Sequence, residues 1–191
     1  MEYVSGSLRQ CLSLFLVPFW SLAANASDFN KAEHPNCAAD DTPMQDRSIG
    51  EVVVCEKWTA FTYEKDGRLM CLVASFALAS DHGGALVSGS IRPTEHVIGQ
   101  FGVIFGFEAD EFAHGRAEVG GQTFELTRKD QNTWVSQLSD QQRLVGALRK
   151  GDVLTVTMPT LSGGAKVIAY PLSGFNDAWN FAEGRCSVGL N

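Results

Sequence analysis

The sequence predicts a mainly β protein, an antiparallel sandwich or barrel with two short α-helices, one of them C-terminal. Many short runs alternate apolar and polar residues with a period of two, which is typical of half-buried antiparallel strands. Turn residues separate these runs, and only two stretches repeat apolar residues at helical spacing. The chain has 191 residues, of which 45% are hydrophobic and 19% are charged, and this suits one globular domain.

The N-terminal segment has the composition of an export signal. An uninterrupted run of apolar and small residues covers 11–24, and the small-x-small pattern of signal cleavage ends at Ala26. The run is shorter than the ~20 residues of a membrane-spanning helix. We therefore expect 1–26 to be a removed signal peptide, leaving no transmembrane segment, 27–51 an extended polar lead-in, and 52–191 the folded domain. The alternative is an N-terminal anchor that is retained.

The first strand pair is predicted over 56–76 as a hairpin. Two runs rich in aromatic and aliphatic residues flank a Lys-Asp-Gly turn at 65–67. In the second run, alternation places two sets of side chains on opposite faces. One face has Met70, Leu72, Ala74 and Phe76, and the other has Cys71 and Val73.

Later strands are predicted at 97–107, 120–130, 152–159 and 165–172, each from its alternating pattern. In the first of these, Gly102 and Gly106 face away from the apolar side chains and allow another backbone to approach closely. The Ser-Gly-Ser-Ile-Arg-Pro stretch at 88–93 and the Leu-Ser-Gly-Gly stretch at 161–164 are interpreted as turns.

Two helices complete the prediction. The first covers 139–151, where Ser139 and Gln142 form a capping box, Leu144 begins an apolar stripe and Gly151 ends the helix. The second begins after Ser173 and repeats apolar residues at helical spacing. Its apolar face contains Phe175, Ala178, Trp179 and Ala182, with Cys186 on the same side.

Four cysteines remain once Cys11 leaves with the signal peptide, and they are Cys37, Cys55, Cys71 and Cys186. An even number in an exported chain predicts two disulfides, with three connectivities open. Metal binding is disfavoured because no Cys-x-x-Cys or His-x-x-x-His spacing is present. Wide spacings suit structural disulfides, since closing a loop of ~100 residues contributes up to ~4.7 kcal/mol in the chain-entropy model. We therefore favour Cys71–Cys186 and Cys37–Cys55.

The net charge and the scattered basic residues bear on which classes of partner the protein can bind. The chain has 15 Lys and Arg residues against 22 Asp and Glu residues, a formal net charge of −7 at pH 7. Its basic residues form no cluster, so the electrostatic footprint of a nucleic-acid or anionic-lipid binder is missing. The pattern favours an acidic exported protein that does not bind nucleic acid.

No catalytic constellation stands out in the sequence. The isolated histidines, each in a polar turn-like stretch, are His34, His82, His96 and His114. A Gly-x-Ser-x-Gly nucleophile elbow is absent from the sequence. The carboxylate pairs Asp40-Asp41 and Asp110-Glu111 are typical of solvated turns. We predict no catalytic residues, no cofactor and no metal.

Four aromatic residues are the remaining candidates for recognition, and they are Trp58, Phe61, Tyr63 and Trp134. Packing in the core of a sandwich accounts for most of them without a function. The alternative is an exposed aromatic face that binds a partner.

Several segments together resemble the invasion-associated locus B family of exported bacterial proteins. They are WTAFTYEKDGRLMCLVAS, GGQTFELTRKDQNTWV, LVGALRKGDVLTV and GGAKVIAYPLSGFNDAWNFAEGRC, between 58 and 186. The positions that match the family's C-terminal signature are Tyr170, Leu172, Ser173, Gly174, Phe175, Ala178 and Cys186. Departures are Pro171, where the family often has Ser, Ile168 in place of a polar residue, and the additional Cys37 and Cys55.

The resemblance implies an immunoglobulin-like β-sandwich and export to the periplasm, outer envelope or medium of a Gram-negative bacterium. In some members it implies a link to host-cell invasion and hence virulence, and it supplies no active-site residues. We therefore expect a non-enzymatic cell-envelope protein that binds an unknown protein or cell-surface partner. The alternative is an envelope hydrolase or metal-dependent enzyme whose histidines meet Asp110 or Glu111 only in the fold.

Overall fold

The computed structural model describes residues 35–40, 49–78, 84–92, 97–105, 107, 114–129, 132–135 and 137–186. The predicted signal peptide at 1–26 and most of the predicted lead-in at 27–51 lie outside these residues. The described part of the chain contains strands that pair throughout in antiparallel fashion and two helices.

The strands follow the chain closely, and several begin or end at turn residues. In chain order they are β1 Cys37–Ala39, β2 Ile49–Cys55, β3 Trp58–Lys65, β4 Arg68–Leu78, β5 Gly84–Arg92, β6 Val97–Phe105, β7 Gly115–Val119, β8 Gln122–Lys129, β9 Asn132–Trp134, β10 Val153–Pro159 and β11 Ala165–Pro171. Their spatial order is β1-β2-β3-β4-β5-β6-β9-β8-β7-β10-β11. The prediction of a mainly β antiparallel fold is confirmed.

The ladder of strands folds back on itself through β8. The first half of β8 pairs with β7 and its second half pairs with β9, so one strand joins the two halves of the ladder. The halves also meet across the core, where the indole nitrogen of Trp58 in β3 donates to the carbonyl oxygen of Pro171 in β11 at 2.9 Å. The architecture is therefore sandwich-like.

The β3–β4 hairpin turns where the sequence predicts it. Asp66 and Gly67 both have positive φ values, 54° and 70°, as a tight hairpin turn between right-twisted strands requires. The predicted turn at 161–164 also lies between two strands, with positive φ at Gly163 and Gly164.

The stretch predicted as a turn at 88–93 is not a turn over its described residues, 88–92, so that prediction is wrong. These residues form the second half of β5, which pairs with both β4 and β6. The sequence hides this strand because Gly89, which is small for reasons of packing, interrupts the apolar alternation of the inner face. A Cβ at Gly89 would lie 2.8 Å from Cζ3 of Trp179 and 3.1 Å from Cδ2 of Phe101.

The first helix, α1 Leu138–Leu148, lacks the predicted capping box. It begins one residue before Ser139, and its N-cap residue, Gln137, makes no side-chain capping hydrogen bond. Gln141 instead donates from Nε2 to the carbonyl oxygen of Val135 at 2.7 Å, which fixes the helix to the end of β9. The start of α1 is therefore set by its contact with β9 rather than by the preference of Ser for the N-cap position.

The second helix, α2 Phe175–Cys186, buries the predicted apolar face. Phe175, Ala178, Trp179, Ala182 and Cys186 are all buried. The ring of Phe175 packs edge-on against Trp58 with centroids 4.9 Å apart, which places α2 beneath β3. Gly174 has a φ of 84° before the helix, and a Cβ there would overlap the carbonyl oxygen of Cys55.

Two cysteine pairs join elements of the fold. Cys71 in β4 is bonded to Cys186 at the end of α2, and Cys37 in β1 to Cys55 in β2. All four cysteines are buried. The first pair joins residues 115 apart in the chain, whereas the second joins residues 18 apart that already face each other across paired strands.

Candidate functional site

The strands β3 to β6 have two faces of different character. We call inner the face that packs on the helices, and outer the opposite face. Alternation along β4 sends Cys71 and Val73, both fully buried, to the inner face, and Leu72 and Phe76 to the outer face, as predicted. The outer face is therefore the side of these strands that is open to a ligand or partner, because the inner one is filled.

Both helices lie on the inner face. Trp179 of α2 sits against Gly89 of β5, as described above. Val145 of α1 lies against Gly99 of β6, where a Cβ would come within 2.8 Å of its Cγ2. Because both helices pack on the inner face, neither covers the outer face of β3 to β6.

A row of apolar side chains crosses the outer face. Phe76 in β4 pairs with Leu86 in β5, which pairs in turn with Ile104 in β6. Phe76 is 62% exposed and Ile104 is 43% exposed, whereas Leu86 between them is half-buried. Residues directly opposite on neighbouring strands lie about 5 Å apart, so the three side chains form one contiguous apolar surface, which we call the apolar row.

A groove lies beside the apolar row and runs across the strands. It has a volume of about 300 Å³ and is partly open to solvent. Tyr63 in β3 and Leu72 in β4 line one end, and Trp134 in β9 lines the other. From β3 to β9 there are four strand spacings, or about 19 Å.

Small and polar side chains line the groove between its aromatic ends. Ser88 pairs with Gly102, and Ser90 pairs with Gln100, so two neighbouring cross-strand pairs lie in the groove. Gly102 also pairs with Trp134, and it has no side chain to cover the adjacent indole. The groove therefore has small residues on its floor and an aromatic ring at either end.

The chemistry of the groove is neutral. Its described lining offers hydroxyl groups from serine and amide groups from Gln100 and Asn132, which donate and accept hydrogen bonds. Among the described lining residues no Asp, Glu, His, Lys or Arg is present. Such a set of groups orients and binds a ligand, whereas general acid–base catalysis needs a group that titrates near the working pH.

The four aromatic candidates separate in the structure. Trp58 is fully buried on the inner face, so the core interpretation is right for this residue. Phe61, Tyr63 and Trp134 are half-buried on the outer face, so the core interpretation is wrong for them. Tyr63 and Trp134 line the groove together, and the rings of Phe61 and Tyr63 have centroids 6.3 Å apart. These three rings are therefore partly exposed on the face opposite the helices.

The candidates of the enzyme alternative fall mostly outside the described residues. This is so for His34, His82, His96, Asp41, Asp110 and Glu111. His114 is described, and its Nδ1 lies 2.8 Å from Oε1 of Glu125 with both side chains largely exposed. Within the described ranges, no three His, Cys, Asp or Glu side chains are grouped as metal ligands.

Sequence reasoning missed most of the groove. The sequence predicts a turn at Ser88 and Ser90, and it does not single out Gln100, Ile104 and Asn132. The signal that could have found them is alternation in 84–92, where Val87 and Ile91 alternate with serines once Gly89 is treated as an inner residue. A small inner residue hides this pattern, because its size reflects the helix packed above it.

Comparison with known proteins gives a likeness in structure. No family model matches the sequence, and no curated protein matches it. No helix in the described part of the chain is long and apolar enough to cross a membrane. The fold is similar to the crystal structure of invasion associated protein B from Bartonella henselae, with a TM-score of 0.51 and 14% sequence identity. The match covers 68% of this chain and 92% of that chain, and it shows that the two proteins share a fold.

Proposed function

We propose that this chain is an exported, non-enzymatic cell-envelope protein of the invasion-associated locus B type, which binds a protein or cell-surface partner through its outer face. The observation that carries the proposal is the contiguous apolar row of Phe76, Leu86 and Ile104 on a sheet face opposite both helices. Large exposed apolar side chains in register cost solubility, and such patches are typical of interaction sites. The neutral groove beside the row supports binding rather than proton transfer.

Several further observations support the place of action. Disulfides persist in oxidising compartments. The four cysteines that follow the predicted signal peptide form two disulfides in the structure, which agrees with such a compartment. The shared fold with an invasion-associated protein agrees with this assignment. We propose the periplasm, the outer envelope or the medium of a Gram-negative bacterium as the location, with 1–26 removed and the domain at 52–191 acting after a polar lead-in.

Export is tested by expressing the full chain in a Gram-negative host and fractionating the cells. We expect the periplasmic or secreted protein to begin at Ser27 by N-terminal sequencing, because cleavage follows the small residue Ala26. A protein that keeps residues 1–26 and stays with the membrane fraction would show that the segment is an anchor.

Binding is tested by affinity capture from envelope extracts and from host-cell surface preparations. The outer-face variant combines Phe76→Ser with Ile104→Ser, and we expect it to lose a partner that the wild type retains. The matched control combines Leu161→Ser with Val167→Ser, two apolar residues that are 60% and 61% exposed on the β10–β11 hairpin. Equal capture by both variants would contradict the assignment to the outer face.

A further inference from the structure

The groove has a composition that selects a particular kind of ligand. It combines aromatic rings at its ends with hydroxyl and amide side chains along its floor and no charged side chain in its described lining. Aromatic rings with a polar handle offer a flat apolar surface next to hydrogen-bonding groups. A sugar ring has the same two features, a flat C–H face and a rim of hydroxyl groups.

Other classes of ligand match the groove less well. A charged glycan, phosphate or nucleic acid needs Lys or Arg, and the protein has a net charge of −7. An extended peptide binds best by adding to a free sheet edge. Here the central strands β4, β5 and β6 are each hydrogen-bonded on both sides, so a peptide lying across them would find no backbone partners.

We propose that the groove binds a neutral glycan chain, with sugar rings stacked on Trp134 and Tyr63 and hydroxyl groups bonded to Ser88, Ser90 and Asn132. The volume of about 300 Å³ lies at the lower end of small-molecule sites, and the span of about 19 Å suits several linked rings rather than one compact molecule. This inference rests on the proposed function, since it names the chemistry of a partner held at the outer face.

Gly102 has no side chain that could cover the neighbouring indole. Trp134 pairs with Gly102, so the indole has an uncovered side toward the groove, and a ring can approach it from the floor. On the other side of Gly102, Ser88 provides a hydroxyl group in the same row. Stacking and hydrogen bonding can therefore act on one sugar residue at the same time.

The test is calorimetric titration of the purified exported protein with soluble neutral oligosaccharides. The panel contains linear oligomers of glucose and of N-acetylglucosamine, with heparin fragments as the anionic arm and an uncharged hydrophilic peptide as the peptide arm. We expect one neutral class to bind with a Kd of about 1 mM or tighter. We expect Trp134→Ala to weaken that binding at least about tenfold, or about 1.4 kcal/mol.

A second variant protects the test against simple misfolding. Ser88→Tyr fills the floor of the groove and keeps Trp134, so it too should abolish binding, while Leu161→Ser on the distant β10–β11 hairpin should leave binding unchanged. Circular dichroism and the unfolding midpoint check that each variant is folded. Absence of binding to every neutral oligosaccharide, preference for heparin or for the peptide, or full binding by folded Ser88→Tyr would overturn the proposal.

The outcome also separates this inference from the proposed function. A captured partner that is lost in the outer-face variant, but is retained in Trp134→Ala and in the presence of excess oligosaccharide, would support binding at the apolar row and refute the glycan site. Oligosaccharide binding without any captured protein or cell-surface partner would support the glycan site alone.

Discussion

The inner and outer faces of β3 to β6 are made by the same strands, yet they are built in opposite ways. On the inner face large rings press on small residues, as Trp179 does on Gly89. On the outer face the small residues Ser88, Ser90 and Gly102 have no large ring packed above them, and a groove remains. The comparison shows that a small residue in a strand has two uses. It makes room for a side chain of the protein itself, or it leaves space that a ligand can occupy.

The strongest test of the inner face is removal of the disulfide that joins it to α2. Cys71→Ala with Cys186→Ala should lower the free energy of unfolding by up to ~4.7 kcal/mol, because the bond closes the longer loop. Cys37→Ala with Cys55→Ala is the matched control, with an expected loss of ~3 kcal/mol for its shorter loop. Urea unfolding measures both.

Peptide mapping under non-reducing conditions checks the pairing itself. We expect one linked peptide pair containing Cys71 and Cys186 and another containing Cys37 and Cys55. A linked pair containing Cys55 and Cys71 would refute the connectivity, and equal losses of stability in the two double variants would refute the loop-length argument.

The contact of α2 with β5 is tested by adding a single methyl group. Gly89→Ala should destabilise the protein by ~1–3 kcal/mol, because the new Cβ meets the rings of Trp179 and Phe101 in a filled core. Gly184→Ala, in the same helix as Trp179, meets nothing within 4 Å and should stabilise by ~0.5–1 kcal/mol. If Gly89→Ala is as stable as the wild type in urea, the inner face is less tightly filled than the structure shows.

The alkaline limb of the stability curve tests the burial of Tyr170 in β11. Burial of Tyr170 raises the pKa of its hydroxyl well above its ordinary value near 10. The folded protein therefore holds a proton that the unfolded chain releases. Stability should be unaffected by this group below pH ~10 and should fall above it by up to ~1.4 kcal/mol per pH unit.

Tyrosine-to-phenylalanine variants assign the alkaline effect to one ring. Tyr170→Phe should make the fall in unfolding free energy above pH ~10 shallower, as measured by urea unfolding at a series of pH values. Tyr63→Phe, on the outer face, is the matched control. A slope that changes equally in both variants would contradict the assignment to the buried ring.

The smallest effect on stability is expected on the outer face. Phe76→Ser should change the free energy of unfolding by no more than ~0.5 kcal/mol, because the ring is already 62% exposed. Phe101→Ala, at a phenylalanine of the inner face that is 1% exposed, should cost ~3–5 kcal/mol. A large loss in Phe76→Ser would show that the apolar row serves the fold rather than a partner.

Much of the fold could be predicted because alternation and turn chemistry are local. The faces of β4, the Asp66-Gly67 turn and the buried side of α2 follow from spacing alone. The predictions are wrong where an element distant in the chain determines the local structure. The capping box at Ser139 is missing because the helix already begins at Leu138 and is fixed to β9 through Gln141. The strand around Gly89 is hidden in the sequence because this inner residue must be small where Trp179 packs on it.

The groove could not be predicted for the same physical reason. Tyr63 and Trp134 are 71 positions apart in the numbering, and they line the same groove only because β9 pairs with β6 rather than with β7. The chain order therefore conceals which residues share a surface. The partial burial of these rings also depends on the pairing of β9 with β6. The alternation within a single strand does not specify that pairing.

The class of fold, the two helices and the two faces of each strand follow from the sequence alone, because hydrophobic burial acts on patterns of period two and 3.6. Which face is filled and which is open depends instead on long-range packing. That choice depends on where α2 is placed across β3 to β5, and it leaves the apolar row and the neutral groove on the outside. The binding surface is thus what remains after the core has been packed.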